Sequence, residues 1–172
     1  MKITIRNGVF ETNSSSTHSI AVSKKKVTNF PESIEFYQGE YGWEHDRYSL
    51  PSYLYTAICE SNKKDEYIDK LKKVLDKHNI KYSFDDSWQG YIDHEYELSD
   101  FLEAIFSDED LLLRVLFGDS VVYTGNDNVG YSEYDYERCL VARKEVYDSD
   151  KGEYITNPYH DEQNYDYFYK GN

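Results

Sequence analysis

Alternating apolar and polar residues at the start of the chain predict β-structure. Residues 2–6 alternate and are rich in β-branched side chains, and Asn7-Gly8 is a strong signal for a tight hairpin turn. Residues 9–12 continue the alternation. A polar run from Asn13 to His18 predicts a loop, and Ser19 to Val22 predict a strand. We therefore expect an N-terminal hairpin followed by a loop and a strand.

Helical spacing replaces this alternation in the middle of the chain. A first helix is predicted to begin near residues 49–51, because Pro51 suits the first helical turn and apolar residues then recur three and four positions apart. A second helix is predicted from about Lys63 to Lys77, where one face is apolar and the other is charged. Asn79 is suited to a left-handed C-terminal cap. Short strands are expected at 34–37 and 80–84.

The C-terminal half predicts two further helices and more strands. Ser99 can cap a helix that runs to about Phe106, and Ser107 can cap a second helix that Gly118 ends. The predicted strands are 120–124 and 138–147, with a turn at 125–128. Residues 152–172 are rich in tyrosine and acids, and this region is expected to be either a partly ordered sheet edge or a tail, with partial order favoured.

These elements predict the α+β class. We expect residues 1–172 to form a single domain with an antiparallel sheet, an N-terminal hairpin and about four helices. A chain of 172 residues can bury roughly 70% of its unfolded surface, and its 19 tyrosines supplement a modest aliphatic content. The two cysteines lack metal-binding or disulfide-scaffold spacing, and no long apolar run is present. A cytoplasmic location in a bacterial host and no membrane partner are expected.

Charge divides the chain into two halves. Residues 1–80 contain 12 basic and 11 acidic residues, whereas residues 81–172 contain 7 basic and 22 acidic residues, and the whole chain has a formal charge of -14. A classical basic nucleic-acid-binding protein is therefore excluded. The acidic half is suited to a basic groove on another protein, although solubility alone would also account for it.

Tyrosines and acids alternate in two segments of the acidic half. Such segments can imitate a nucleic-acid duplex or form a protein-binding surface, and the alternative is a sheet edge protected by charge. The partner-binding residues that we predict there are Glu133, Tyr134, Asp135, Tyr136, Glu137, Tyr165, Asp166 and Tyr167.

The first polar run could carry chemistry. It combines side chains that bind phosphates with side chains that transfer protons: His18 can act as acid or base, Glu11 as its partner, and Arg6 as an anion ligand. Hydroxyls and backbone amides of successive polar residues can form an anion-binding nest. The nest residues are Asn13, Ser14, Ser15 and Ser16. The same residue types are also typical of any exposed loop between strands.

The segment from Arg6 to Ser19 resembles a signature, R-x-G-x-F-E-T-N-S-S-S-x-H-S, of uncharacterised proteins from bacteriophages and prophages, mostly of Gram-positive hosts. Residues 90–94 and 125–128 resemble two shorter blocks of the same proteins. The resemblance implies an accessory phage protein. Some small acidic proteins of this kind are anti-defence factors, including anti-CRISPR proteins that block a Cas effector.

If the three blocks meet in space, they bring together two imidazoles and three carboxylates. Such a set suits a divalent metal or acid–base chemistry on a phosphodiester. The metal ligands expected from the later blocks are Asp93, His94 and Asp127. Their spacing alone is not diagnostic, because an acidic linker and a hairpin turn have the same composition.

Two functions follow from the sequence. The first is an inhibitor that binds a host nucleic-acid-processing protein, such as a Cas nuclease, through its acidic, tyrosine-rich half. The second is a phosphoester-directed enzyme, ribonuclease-like and able to cleave guide RNA, that uses the segment from Glu11 to His18. A protein that docks on an effector and cleaves its guide RNA would combine both.

Overall fold

The computed structural model describes residues 16–93, 98–126 and 132–171. Within these ranges the chain is a single α+β domain with five helices and ten strands. The helices are α1 (Leu50–Glu60), α2 (Lys64–Lys77), α3 (Ser99–Ser107), α4 (Glu109–Phe117) and α5 (Glu133–Glu137). The strands are β1 (Ser16–Ser23), β2 (Ser33–Tyr37), β3 (Glu40–Tyr41), β4 (Asp46–Ser49), β5 (Lys81–Asp85), β6 (Tyr91–Ile92), β7 (Val121–Asn126), β8 (Glu145–Asp148), β9 (Glu153–Thr156) and β10 (Tyr165–Lys170).

The central sheet has four antiparallel strands in the order β10-β1-β7-β4. Strand β1 lies in the interior of the sheet, and all eight of its residues are buried. His18 of β1 lies between Lys170 of β10 and Thr124 of β7 in the register. The C-terminal strand therefore completes one edge of the sheet, and β4 forms the other.

One face of the sheet carries the hydrophobic core. Ile20 and Val22 of β1 and Val122 of β7 are fully buried there, and they belong to a single apolar cluster with residues of α1, α3 and α4. Each such aliphatic side chain stabilises the fold by about 1.5–3 kcal/mol through burial. Beside this core, β2 pairs in parallel with β5, and Phe36 stacks on Phe84 with ring centroids 5.3 Å apart.

The segment 132–160 covers part of the opposite face, which we call the outer face. The Ser19 hydroxyl donates a hydrogen bond to the carbonyl oxygen of Cys139 at 2.5 Å and accepts one from the amide of Ala142 at 3.2 Å. The Asn157 side chain donates to the carbonyl oxygens of Leu140 and Arg143. These bonds hold the turns that follow α5 against the sheet.

The structure confirms all four predicted helices and adds α5. Helix α1 begins at Leu50, within the predicted start at 49–51, helix α2 begins and ends within one residue of its predicted bounds, and Asn79 has the expected positive φ of 56°. The strand predicted at 34–37 is β2. The cap of α4 differs from expectation, because Asp108 and not Ser107 accepts hydrogen bonds from the first amides of the helix.

Two sequence predictions are wrong where tertiary pairing decides the structure. Residues 16–18 belong to β1 and not to a loop, because all three pair with β7 and His18 also pairs with Lys170 of β10. Residues 138–142 form turns and not the start of a long strand, because the side chains of Ser19 and Asn157 bond to the carbonyl oxygens of Cys139 and Leu140. The predicted N-terminal hairpin lies outside the described residues. Across 16–93, 98–126 and 132–171, the helices are too short or too polar to cross a bilayer.

Candidate functional site

His18 is fully buried at one end of the central sheet. Its Nε2 lies 3.0 Å from the carbonyl oxygen of Gly42, and its Nδ1 lies 2.8 Å from the hydroxyl of Tyr53. A carbonyl oxygen only accepts hydrogen bonds, so Nε2 carries the proton and Nδ1 of the neutral ring accepts from the tyrosine. Both ring nitrogens of His18 therefore serve the fold, and neither is available to a substrate.

Burial lowers the pKa of His18 from its ordinary value of 6.5 to about 3. The neighbouring Lys170 acts in the same direction, whereas the Gly42 carbonyl and Asp93 raise the pKa by less. The imidazole is therefore neutral at physiological pH. A buried, neutral histidine with hydrogen bonds at both ring nitrogens does not fit the acid–base role that the sequence suggested for it.

Lys170 lies beside His18 and is also buried. Its Nζ donates to the carbonyl oxygen of Ser16 at 3.0 Å and to the Ser16 hydroxyl at 2.5 Å. The ammonium group thus ties β10 to the first residue of β1. Ser16, which was predicted to help bind an anion, instead binds the side chain of a lysine inside the protein.

The described parts of the three polar blocks lie together. Ser16 and Thr17 of β1 pair with Asn126 and Gly125 of β7, and Asp93 is close enough to affect the pKa of His18 electrostatically. The predicted site residues that lie outside the described residues are Arg6, Glu11, Asn13, Ser14, Ser15, His94 and Asp127. The expected metal set at 93, 94 and 127 is therefore represented by Asp93 alone.

A groove of about 460 Å³ opens on the outer face of the sheet. Four tyrosines from β7, β10 and the loop before β10 line it together with three carboxylates, one arginine and two valines. The lining residues are Arg47, Asp119, Val121, Tyr123, Glu137, Val141, Tyr159, Asp161, Tyr165 and Tyr167. We call this feature the tyrosine groove.

Contacts within the protein hold the tyrosine groove in shape. The Tyr167 ring stacks on His160 with centroids 4.5 Å apart, and its hydroxyl accepts a hydrogen bond from the amide of Asp161. The Tyr159 hydroxyl donates to Glu133 at 2.7 Å. The groove is therefore pre-organised, which lowers the entropic cost of binding a partner.

The three carboxylates and Arg47, and not the tyrosines, set the charge of the tyrosine groove at neutral pH, which is negative overall. The hydrogen bond to Glu133 raises the pKa of Tyr159, and burial raises the pKa of Tyr167, so both phenols stay protonated. Hydrogen bonds from Asn164 lower the pKa of Asp161, which stays ionised. The groove thus combines neutral aromatic walls with negative charge.

The predicted partner-binding residues separate into three groups. Glu137, Tyr165 and Tyr167 line the tyrosine groove. Glu133 and Tyr134 are exposed on α5, and Tyr136 is half-buried with its hydroxyl bonded to the Tyr147 carbonyl.

Two of the predicted partner-binding acids have roles inside the protein. Asp166 lies 2.8 Å from the buried guanidinium of Arg114. Asp135 is buried, and one of its oxygens accepts hydrogen bonds from the amide and hydroxyl of Ser132 at 2.7 Å. Asp135 is therefore not a surface residue, whereas the Asp166 side chain stays 39% exposed and also lies 3.5 Å from the ammonium group of Lys24.

The sequence prediction missed several residues that the fold brings together. Tyr123 and Tyr159 complete the tyrosine groove. For Tyr123, the available sequence signal was the period-two alternation of β7 and β10, which puts its side chain on the same face of the sheet as those of Tyr165 and Tyr167. His45 and Cys139 approach each other across 94 residues of sequence, with Nδ1 and Sγ 3.5 Å apart. No local sequence signal reports that contact.

We compared the chain with protein-family models, curated proteins and solved structures, and none of them matches significantly.

Proposed function

We propose that this protein inhibits a host nucleic-acid-processing effector, such as a Cas nuclease, in the bacterial cytoplasm by binding a basic, arginine-containing segment of it. The observation that carries the proposal is the tyrosine groove, where four aromatic rings and three carboxylates converge on one pre-organised surface. Effectors of this class bind nucleic-acid phosphates with exposed lysines and arginines. An acidic protein with a formal charge of -14 is attracted to the same surface.

Arginine is the residue that the tyrosine groove suits best. A guanidinium group stacks on an aromatic face and pairs with a carboxylate at the same time, whereas a lysine ammonium does so less well. The protein already places arginine guanidinium groups over tyrosine rings in its own outer layer. The Arg138 guanidinium lies 4.7 Å from the Tyr134 ring centroid, and that of Arg143 lies 5.6 Å from the Tyr169 ring centroid.

We do not extend the proposal to cleavage of RNA through His18. Both nitrogens of that ring are bonded within the protein, and its low pKa keeps it from acting as a general acid near neutrality. The charge and the aromatic groove support binding, and binding alone is sufficient for inhibition.

The direct test is to mix the purified protein with a Cas effector that carries its guide RNA. Target cleavage, complex formation and guide length are measured in the same reactions, with and without a divalent metal. We expect inhibited cleavage, a stable complex and a guide RNA of unchanged length. A shortened guide would overturn the binding-only mechanism, and uninhibited cleavage without a complex would overturn the choice of effector.

A matched pair of variants tests the groove itself. Asp119 and Glu137 are exposed groove residues, and the double variant Asp119→Lys/Glu137→Lys should weaken binding of a labelled nona-arginine peptide at least tenfold. Asp150→Lys/Glu153→Lys makes the same charge change in the exposed hairpin between β8 and β9 and serves as the control. Equal loss in both variants would show that net charge alone drives binding and would overturn the groove as the site.

A further inference from the structure

His45, Asp135 and Cys139 bring three different metal-binding side chains together beside the outer face of the sheet. His45 comes from the segment before β4, Asp135 from α5, and Cys139 from the turn after α5. One ligand atom from each residue lies within 4.8 Å of the other two. Among the residues that the structure describes, this is the one group of three such side chains that meets this criterion.

The two distances from His45 to the other ligand atoms match edges of a tetrahedral zinc site. The Nδ1 of His45 lies 3.5 Å from the Sγ of Cys139 and 3.2 Å from a carboxylate oxygen of Asp135. Zinc bonds of about 2.3 Å to sulfur and about 2.0–2.1 Å to nitrogen and oxygen, at tetrahedral angles, separate nitrogen from sulfur by roughly 3.5 Å and nitrogen from oxygen by roughly 3.3 Å. A zinc ion can therefore bind between His45 and each of the other two ligands with little change in these two distances.

Hydrogen bonds and packing hold Asp135 and Cys139 in place; the Cys139 thiol donates to the carbonyl oxygen of Thr124 at 3.0 Å, and this one bond would be exchanged for the bond to the metal. The second oxygen of Asp135 accepts hydrogen bonds from the amide and hydroxyl of Ser132, which turns the first oxygen towards His45. Partners of this kind orient ligands in established metal sites. Gly125 of β7 packs so closely on Cys139 that a Cβ at position 125 would lie 2.3 Å from the sulfur. The thiol is thereby fixed between β7 and α5.

We propose that His45, Asp135 and Cys139 bind a zinc-class divalent cation. Thiolate and imidazole ligands select zinc over magnesium or calcium, which prefer oxygen. Three protein ligands and one water are the usual set of an open zinc site, and four protein ligands are the usual set of a closed one. On binding, a sulfur–metal bond forms, and the Cys139 thiol proton passes to solvent.

This site has a clear place in the fold. It joins the segment before β4 to α5, and α5 carries Glu137 of the tyrosine groove. A bound cation would therefore hold the segment 132–160 against the outer face of the sheet. The site does not depend on the proposed function, because its ligands are not groove residues.

Cobalt provides a spectroscopic test in the full-length protein. Protein treated with a chelator and then dialysed is titrated with Co²⁺, and the thiolate-to-cobalt charge-transfer absorption is recorded. We expect one equivalent to saturate the signal and Zn²⁺ to displace the cobalt. Cys139→Ser should abolish the charge-transfer band, and His45→Gln should weaken binding at least tenfold. Cys59→Ser, which changes the other cysteine, should bind cobalt like the parent protein.

Each alternative result overturns the site. The proposal fails if cobalt gives no charge-transfer band, if Cys139→Ser keeps the band, or if Cys59→Ser loses it. Because His45 is exposed, His45→Gln should fold even where Cys139→Ser does not, and circular dichroism checks this. Parent-like cobalt affinity in folded His45→Gln would exclude the histidine as a ligand and overturn the proposal.

Discussion

At the scale of single residues, burial decides what His18 can do. The ring is neutral because water is excluded from it and because Lys170 lies nearby. The unfolded chain exposes the same imidazole with a pKa near 6.5, so between pH 6.5 and pH 3 the unfolded state binds the additional proton. The stabilising contribution of neutral His18 is therefore present above pH 6.5 and is lost as the pH falls towards 3.

This linkage predicts a pH dependence of stability. The free energy of unfolding, measured with urea, should fall by about 2 kcal/mol between pH 7 and pH 5 because of His18. The variant His18→Gln keeps a polar amide at this position and should show a shallower dependence over the same interval. Other titrating groups affect both proteins equally, so the difference between the two curves isolates His18. Parallel curves would contradict the assignment.

Tyr53 supplies one of the two hydrogen bonds of His18. The change Tyr53→Phe removes the hydroxyl and leaves a buried ring nitrogen without this donor, which should cost about 1–3 kcal/mol in the free energy of unfolding. Tyr154→Phe removes a hydroxyl from a side chain that is 66% exposed and should change stability by less than about 0.5 kcal/mol. Thermal and urea unfolding of both variants checks this; equal losses would contradict the role of the His18 bond.

At the scale of elements, the N-terminus of α4 shows how local geometry selects a cap. Asp108 has an extended backbone, and its carboxylate accepts from the amides of Asp110 and Leu111. The Ser107 hydroxyl instead donates back to the carbonyl oxygen of Ala104. Asp108→Ala should therefore destabilise the protein by about 1 kcal/mol, and Ser107→Ala by a few tenths of that. Urea unfolding measures both, and the reverse order would restore Ser107 as the cap.

Helices could be predicted from the sequence more completely than the sheet. The apolar spacing of α2 and the conformation of Asn79 depend on residues close in sequence. The pairing of strand β1 depends on β7, which lies more than 100 residues later in the sequence, and on β10, which lies about 150 residues later. A polar segment such as Ser16–His18 is typical of a loop until those strands and other distant residues such as Tyr53 are known, because its burial comes from residues far away in the sequence.

The same reasoning separates the candidate sites. Tyr165, Tyr167 and Glu137 were predicted to bind a partner from composition alone, and the sheet register then explains how Tyr123 joins them. His45 and Cys139 had no such signal, since neither belongs to a motif and their contact spans 94 residues. Composition can indicate a surface, whereas a cluster of three side chains from distant segments requires the fold.

At the scale of the whole molecule, charge and the tyrosine groove act at different distances. The formal charge of -14 attracts a basic partner over a distance set by the Debye length, which is about 30 Å at 0.01 M salt and about 8 Å at 0.15 M. Stacking and ion pairing in the groove act only in the complex. The first therefore governs the association rate, and the second governs dissociation.

This separation predicts a specific salt dependence for the nona-arginine peptide. Between 0.01 M and 0.15 M NaCl the association rate constant should fall about tenfold or more, while the dissociation rate constant changes much less. Asp150→Lys/Glu153→Lys makes the net charge less negative at a site away from the groove and should slow association at low salt without speeding dissociation. Asp119→Lys/Glu137→Lys should slow association and also speed dissociation, because it removes carboxylates that line the groove where the peptide is proposed to bind. Stopped-flow fluorescence resolves the two rates. If the salt effect lay in dissociation for every protein, the long-range field would have no part in binding, and the acidic half would act through contacts alone.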